Sequence, residues 1–357
     1  MQSFSITVFD GDGIGPEIMA PTLGLLRKLA GTAATYDLNF DSHPMGAGHY
    51  AQTGQALPRA SLDAARASDA ILLSAMGLPD IRYPDGTEIT PQIDIRIALD
   101  LYAGVRPVRI VPGHPTPLHA PGPVDFVLIR ESTEGLFHTK GKGTVTKDHA
   151  TETLQITRDT SEKLFRFAFA LAAQRKASGR GEGRVTCVDK ANVFRAFAFF
   201  REIFDAEAAR HPDLIADHAY VDAMALWMVT RPQTFDVMVT ENMFGDILSD
   251  LGAGLMGGLG LAPSADIGDD NAVFQPCHGT APDIAGRGIA NPLAMILSAA
   301  MMLDWLALRG QNAELATDGQ RLREAVEAVL TEGRVLTRDL GGNASTEEAA
   351  AAVAAKL

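Results

Sequence analysis

The chain has 357 residues, of which 46% are hydrophobic and 21% charged, and its formal net charge is −13. That length suits one large domain or two packed ones, and the composition is ordinary for a globular protein. The acidic balance disfavours nucleic acid and anionic membrane as partners. An anionic small-molecule substrate stays compatible with it, because local cationic side chains decide that case.

The sequence carries no signal for a membrane or an export route. No 18-residue apolar stretch lacks polar interruptions, so no transmembrane helix is expected. The first residues run directly into a strand-like segment without a basic region or a cleavage site, which predicts a cytoplasmic protein that starts at Met1. The two cysteines, Cys187 and Cys277, lie in apolar stretches and are expected to be buried and unpaired.

A glycine-rich turn follows the first predicted strand, Ser5–Phe9. Gly11, Gly13 and Gly15 precede a proline and a glutamate that suit a helix start. The spacing differs from a Rossmann fingerprint, and no acidic residue closes a second strand at the expected distance. We therefore expect a turn into a helix without a Rossmann dinucleotide site.

Strand-like and helical segments alternate beyond this turn. The predicted strands are Ala70–Ser74, Phe126–Ile129 and Arg184–Val188, and the predicted helices are Thr160–Gln174, Ala191–Ala209, Pro292–Leu308, Asp318–Glu332 and an alanine-rich one after Ser345. This alternation predicts an α/β fold. Residues 107–143 are rich in Pro, Gly and His and indicate an extended arm or a set of turns. The glycines of residues 252–260 indicate either close packing or a hinge.

Two aspartates occupy one predicted helix after the apolar strand-like run Phe235–Thr240. Asp246 and Asp250 are four residues apart, which places their carboxylates about 40° apart on one helix face. Like charges at this spacing repel each other, so a hard divalent cation is one explanation. Two aspartates on a solvated face are the alternative, although the apolar neighbours of this pair disfavour it.

A third carboxylate, Asp222, ends a short strand-like segment. Its ordinary interpretation is a helix N-cap. Together with Asp246 and Asp250 it would complete an oxygen site for Mg²⁺ or Mn²⁺.

Several cationic residues stand in apolar surroundings. Arg96, Arg106 and Arg130 are individually typical of structural charges, but together they would suit a substrate with more than one carboxylate. Lys190 follows a predicted strand, and either solvation or a role as base toward a substrate hydroxyl is compatible with its position.

The loop from Pro276 to Pro292 is the last candidate. It contains His278, Gly279, Thr280, Ala281, Asp283 and Asn291. Its composition exposes backbone N–H groups and would allow it to hold an adenosine phosphate, although an ordinary structural loop has the same composition.

Seven stretches, in order, resemble one known family. They are GDGIGPE, LDLYAGVRP, RESTEG, VDKAN, YVDAMA, TENMFGDILSD and HGTAPDIAGRGIANP. They are similar to the isocitrate and isopropylmalate dehydrogenases, the metal-dependent β-decarboxylating dehydrogenases, over essentially the whole chain. The resemblance implies a two-lobed α/β fold with a mixed sheet that is not a Rossmann fold. The large cofactor-binding lobe would comprise residues 1–103 and 258–357, and the smaller lobe residues 104–257.

The resemblance also implies roles for the candidate residues. Asp222, Asp246 and Asp250 match the ligands of Mg²⁺ or Mn²⁺, and Arg96, Arg106 and Arg130 match the residues that hold the malate carboxylates. Lys190 matches the residue that helps to deprotonate the C2 hydroxyl. Members of the family work as homodimers with shared active sites, so Lys190 and Asp222 are expected from the partner subunit. The loop from His278 to Asn291 matches the adenosine site.

Two positions bear on the chemistry and the cofactor. Asp283 followed by Ile284 resembles members that use NAD, because a carboxylate accepts hydrogen bonds from the ribose 2′-hydroxyl and repels a 2′-phosphate. Phe137 stands where the family has a tyrosine that supplies a proton after CO₂ departs. His138 or a water held by Lys190 would have to take over; otherwise decarboxylation would be slow or the reaction would stop at the keto acid.

The substrate remains open at the C3 substituent. Thr90 and Gln92 lie where the family distinguishes that group, and both are polar, whereas the isopropylmalate enzymes place leucines there. The sequence predicts oxidative decarboxylation of a (2R)-malate-type acid, with 3-isopropylmalate or a close analogue as first choice. The alternatives are D-malate, tartrate or isocitrate as substrate, or a non-catalytic subunit of a dehydrogenase assembly. A metal-dependent dehydrogenase of a phosphorylated hydroxy-amino acid would call for a histidine-rich site, which the sequence lacks.

Overall fold

The computed structural model describes residues 1–119 and 122–357. Over these residues the strands are Gln2–Phe9 (β1), Tyr36–Ser42 (β2), Ala70–Leu73 (β3), Ala103–Arg109 (β4), Asp125–Glu131 (β5), Thr144–Val145 (β6), Ala150–Thr151 (β7), Arg184–Asp189 (β8), Ile215–Tyr220 (β9), Val237–Thr240 (β10), Pro263–Ile267 (β11) and Ala272–Pro276 (β12). The helices are Gly15–Ala30 (α1), Ala47–Thr53 (α2), Arg59–Ala67 (α3), Pro91–Ala98 (α4), Arg158–Ala177 (α5), Arg195–Ala208 (α6), Val221–Thr230 (α7), Asn242–Met256 (α8), Leu293–Gly310 (α9), Ala313–Glu332 (α10) and Thr346–Ala354 (α11).

The chain divides into two units. The first comprises Met1–Leu99, Val111–Pro115 and Gly257–Leu357, and the second comprises Asp100–Ile110 and Thr116–Met256. In the first unit the strand order is β2-β1-β3-β12-β11, with β11 antiparallel to β12 and the other pairs parallel. Apolar strands and α9, α10 and α1 build its core.

The second unit has the strand order β4-β5-β10-β8-β9. Only β4 is antiparallel, so β5, β10, β8 and β9 run in the same direction. Four buried phenylalanines of α5 and α6 pack against one another, namely Phe165, Phe169, Phe200 and Phe204. Because parallel strands bring their carboxyl ends to one edge, the residues that follow these four strands are the natural candidates for a site.

Most of the predicted elements are confirmed, with shifted ends. Helix α6 begins at Arg195, four residues later than predicted, because the amides of Val193 and Phe194 turn back onto the carbonyl of Lys190. The interpretation of residues 107–143 as arm or turns was wrong for β4, which continues through Pro107 to Arg109 opposite β5. Proline disfavours a strand assignment, which is why sequence reasoning missed it. Residues 120 and 121 of this segment lie outside the described residues.

Close packing, one of the two interpretations of the glycines of residues 252–260, is confirmed at Gly252, and the hinge stays a prediction. A Cβ on Gly252 would lie 2.6 Å from Val108, so that glycine permits close packing. Gly257 and Gly258 have φ values of +114° and +136°, which favour glycine, and they stand where the chain leaves the second unit for the first.

Among the described residues, one helix, Leu293–Gly310 (α9), has the length and apolar character that could span a membrane. Its apolar window is 56% buried inside the fold, as in the core helix of a globular protein, so this single helix is weak support for a membrane span.

Candidate active site

The two aspartates of the predicted helix lie on α8, as expected. Asp246 forms an ion pair with Arg130, and its side chain is 63% exposed. Burial, and then the neighbouring Asp246 carboxylate, raise the pKa of Asp250, against the opposing influence of Arg130 and Arg106. The second negative charge on this face is therefore unfavourable by itself. A divalent cation would reverse that effect, so the donor set fits a hard metal ion.

Two buried arginines stand beside these aspartates. The register of β4 with β5 pairs Gly104 with Arg130 and Arg106 with Leu128, so both arginines emerge from the same face of the sheet. Arg130 and Arg106 are only 7% and 5% exposed. The second unit thus holds two desolvated guanidinium groups, which suit carboxylate recognition.

Asn242 holds the guanidinium of Arg130. Its Oδ1 accepts hydrogen bonds from Arg130 Nη2 at 2.8 Å and from Nε at 3.3 Å. The Asn242 amide donates at 3.2 Å to the carbonyl of Glu134, which orients it for that role. Sequence reasoning missed Asn242, although its place at the first turn after a buried strand was a usable signal.

Gly245 lets α8 approach Arg130. A Cβ there would lie 2.6 Å from both Cβ and Cγ of Arg130, atoms too close to the backbone to move easily. We expect Gly245→Ala to displace Arg130 and to raise the KM for substrate about tenfold or more, with kcat less affected. Steady-state kinetics with the preferred substrate measures this.

The matched control is Gly254→Ala on the same helix. Nothing lies within 4 Å of a Cβ at Gly254, so alanine should leave KM unchanged and stabilise the helix by about 0.5–1 kcal/mol. Equal KM values for the two variants would contradict the role given to Gly245.

Lys190 and Asp222 form a second pair in the same unit. Lys190 directly follows β8, Asp222 lies in the first turn of α7, and their side chains form an ion pair. The hydrogen bond from Lys190 holds the pKa of Asp222 below its usual range. The N-cap position belongs to Tyr220, so the N-cap interpretation of Asp222 was wrong.

The three aspartates do not come together within one chain. Over residues 1–119 and 122–357, no group of three His, Cys, Asp or Glu side chains could hold a metal ion. The structure instead places Asp246 and Asp250 with Arg130, and Asp222 with Lys190. The origin of Asp222 in a partner subunit stays a prediction.

The first unit carries the other substrate candidates on α4. Thr90 occupies the N-cap position, and Gln92 Oε1 is a buried atom without a hydrogen-bond partner among the described residues. Arg96 is 6% exposed, and its Nε lies 2.8 Å from Oδ2 of the fully buried Asp266 on β11. Asp266 therefore orients the guanidinium of Arg96.

The glycine-rich turn and the candidate cofactor loop are joined in the first unit. Gly13 has a φ of +57°, and a Cβ there would lie 2.2 Å from the carbonyl oxygen of Thr280. The Ile14 amide donates to that same oxygen at 2.9 Å. Glu17 accepts hydrogen bonds from the amides of Gly286 and Ala290 at 3.0 and 3.2 Å. The first motif of the chain thus positions the loop.

The residues of that loop differ in their hydrogen bonds, backbone conformation and exposure. Nε2 of His278 is buried without a hydrogen-bond partner in the described part of the chain, and burial lowers the pKa of this imidazole, which favours its neutral form. Ala281 adopts a φ of 37°, a strained conformation for a residue with a side chain. Asp283 and Gly279 are exposed. Asn291 Oδ1 accepts a hydrogen bond from the Leu293 amide and its Nδ2 donates to Asp339, so its side chain serves the fold.

The profile of the family described as isocitrate/isopropylmalate dehydrogenase matches residues 5–353. The chain belongs to this family. A Streptococcus thermophilus protein named 3-isopropylmalate dehydrogenase is 42% identical over 360 residues, covering 99% of each chain. A Methanocaldococcus jannaschii protein named 3-isopropylmalate/3-methylmalate dehydrogenase is 42% identical over 354 residues, covering 99% of this chain and 98% of that one. The crystal structure of isocitrate dehydrogenase from Methylococcus capsulatus has a TM-score of 0.85 at 36% identity, covering 100% of this chain and 99% of that one.

These similarities confirm the predicted family and its mixed α/β fold. The protein is accordingly a decarboxylating dehydrogenase of the isocitrate/isopropylmalate type. Phe137, where the sequence analysis expects a departure from the family, lies in the short 3₁₀ helix Leu136–Thr139; it is half-buried there and His138 is exposed.

Proposed function

We propose that the protein catalyses the NAD-dependent oxidative decarboxylation of a (2R)-malate-type 2-hydroxy acid, with 3-isopropylmalate or a close analogue as first choice. The observation that carries this proposal is the arrangement on α8, where buried Arg130 meets Asp246 one turn from Asp250. It places the forked guanidinium of Arg130, which suits a carboxylate of the substrate, beside two aspartates that suit a divalent cation. The names of the relatives support the choice of substrate.

We assign different roles in the reaction to different residues of the chain. Arg106, Arg130 and Arg96 hold the carboxylates of the substrate, and Asp246, Asp250 and Asp222 hold the metal. A bound Mg²⁺ or Mn²⁺ supplies Lewis-acid stabilisation of negative charge on substrate oxygens. Lys190, in its neutral amine form, would receive the proton of the C2 hydroxyl. Its contact with Asp222 places it beside a carboxylate that is assigned to the metal.

The loop around His278 to Asn291 would bind the adenosine part of the cofactor. NAD supplies the hydride acceptor. His278 offers a buried nitrogen that has no hydrogen-bond partner among the described residues, while Gly279, Thr280 and Ala281 offer backbone groups. The exposed Asp283 would accept hydrogen bonds from the ribose 2′-hydroxyl and repel the phosphate of NADP. Because the Asn291 side chain is hydrogen-bonded to the Leu293 amide and to Asp339, its contact with cofactor would come from its backbone.

The surface of the second unit supports a homodimer with shared sites. Leu226 and Val229 of α7 and Met243 and Ile247 of α8 are between 41% and 63% exposed in the single chain. The same two helices carry the three aspartates. An apolar surface beside an incomplete metal site fits a second copy of the chain, which would bring Asp222 and Lys190 to the aspartates of its partner.

The test is a screen of the purified protein with Mg²⁺ or Mn²⁺. D-malate, tartrate, 3-isopropylmalate and isocitrate are offered with NAD and with NADP, and reduced cofactor and CO₂ are followed together. We expect equal amounts of NADH and CO₂, the highest kcat/KM for 3-isopropylmalate, and a preference for NAD. A higher kcat/KM with D-malate or isocitrate would replace the substrate assignment.

Two further outcomes would contradict the reaction itself. NADH without CO₂ would reject decarboxylation and show that the reaction stops at the keto acid. Bound NAD with no turnover of any substrate would favour a non-catalytic subunit.

A further inference from the structure

The residue before Lys190, Asp189, carries a fully buried carboxylate. Asp189 ends β8, and its side chain is completely shielded from solvent. Its Oδ1 accepts hydrogen bonds from the Ala191 amide at 2.8 Å and from Arg201 Nη2 at 2.7 Å, and Oδ2 accepts from Arg201 Nε at 2.8 Å. The turn that carries Lys190 is thus held from both sides by one carboxylate.

Arg201 extends this anchor to the neighbouring strand. Its guanidinium lies 5.3 Å from the ring centroid of Tyr220. Tyr220 ends β9 directly opposite Asp189 in the register and stands two residues before Asp222. Lys190 Nζ lies 5.9 Å from the same ring. The tyrosine is therefore in contact with both cations, and one of them reaches Asp222.

We propose that Asp189, Arg201 and Tyr220 form a bracket that positions Lys190 and Asp222 relative to each other for catalysis. None of the three contacts the substrate in this assignment, so they are positioning residues. The bracket joins the carboxyl ends of β8 and β9, and so sets the spacing between the base and the third metal ligand. The inference rests on the proposed function, in which these two residues act together.

The central test is Arg201→Lys. Lysine keeps the positive charge but cannot form two parallel hydrogen bonds with Asp189 while stacking on Tyr220. Outer partners of metal ligands typically contribute 10–100-fold to activity or metal affinity. We expect kcat to fall by about that factor with KM for NAD unchanged, and Mn²⁺ affinity in the presence of substrate, measured by calorimetry, to fall as well.

The matched control is Arg175→Lys. Arg175 is 5% exposed and likewise binds buried carboxylate, with Nε 2.6 Å from Asp236 and Nη2 3.0 Å from Asp125. It lies at the amino end of the strands, away from the candidate site. Both variants should lower the melting temperature, but only Arg201→Lys should lower kcat and Mn²⁺ affinity.

A second pair of variants leaves the ion pair with Asp189 intact. Tyr220→Phe keeps the ring and should retain most of the wild-type kcat, whereas Tyr220→Leu should lower it about tenfold or more. This pair decides the question if Arg201→Lys does not fold. The bracket would be rejected if Tyr220→Leu matched Tyr220→Phe and if Arg201→Lys, where folded, matched Arg175→Lys.

The outcome is separable from that of the proposed function. If wild-type protein turns over none of the substrates, the function fails, and the bracket is then judged on Mn²⁺ affinity alone. Weaker affinity in Arg201→Lys than in Arg175→Lys would support it, and equal affinities would overturn it.

Discussion

Replacing Asp246 with asparagine is expected to lower kcat/KM by at least about 100-fold while the fold is retained. Asparagine keeps the shape of the side chain but removes the charge that the metal and Arg130 both require. The loss should exceed the 10–100-fold typical of outer partners of a metal, because Asp246 is assigned to the metal itself. Stability should change little, since the side chain is 63% exposed and exposed ion pairs contribute about 0–1 kcal/mol.

The measurements are turnover with saturating Mg²⁺ or Mn²⁺, Mn²⁺ affinity by calorimetry, and thermal unfolding. Asp217→Asn is the matched control, because Asp217 is also a half-exposed aspartate paired with an arginine, Arg184, in the same unit. That variant should keep wild-type activity. Wild-type activity in Asp246→Asn would exclude Asp246 from the metal site.

Replacing Lys190 with methionine should lower kcat by about 10²–10⁴-fold, the range in which a positioned acid or base contributes. Methionine has a similar length and no proton to exchange. KM should change less than kcat, since the carboxylates of the substrate are held by arginines. Removal of the ammonium group should also let the pKa of Asp222 return upward toward its ordinary value.

The control for Lys190 is Lys163→Met. Lys163 has nearly the same exposure, 22% against 24%, and also forms an ion pair with an aspartate, Asp100. Its loss should leave kcat unchanged. In Lys190→Ala, added primary amines should restore part of the activity; full activity of Lys190→Met without any addition would remove Lys190 from the mechanism.

The helices that carry the candidate site could be predicted from the sequence. Their apolar spacing and the strands before them are local signals, so the i and i+4 relation of Asp246 and Asp250 followed directly and is confirmed on α8. The motif order also indicated the family correctly. Strands β11 and β12 were missed because each has only five residues, although they form a local hairpin. Strand β12 also pairs with β3, which lies far away in the sequence.

What no local pattern could show is which side chains meet. Glu17 accepts hydrogen bonds from backbone amides about 270 residues later in the chain. Arg130 fits against α8 only because residue 245 is glycine. The ion pair of Lys190 with Asp222, beside Tyr220, likewise depends on the register of β8 with β9. Residue types and helical spacing thus determined the chemistry available to this protein. The tertiary structure alone decided how its charges are paired, because those pairs join strands and helices that are distant in sequence.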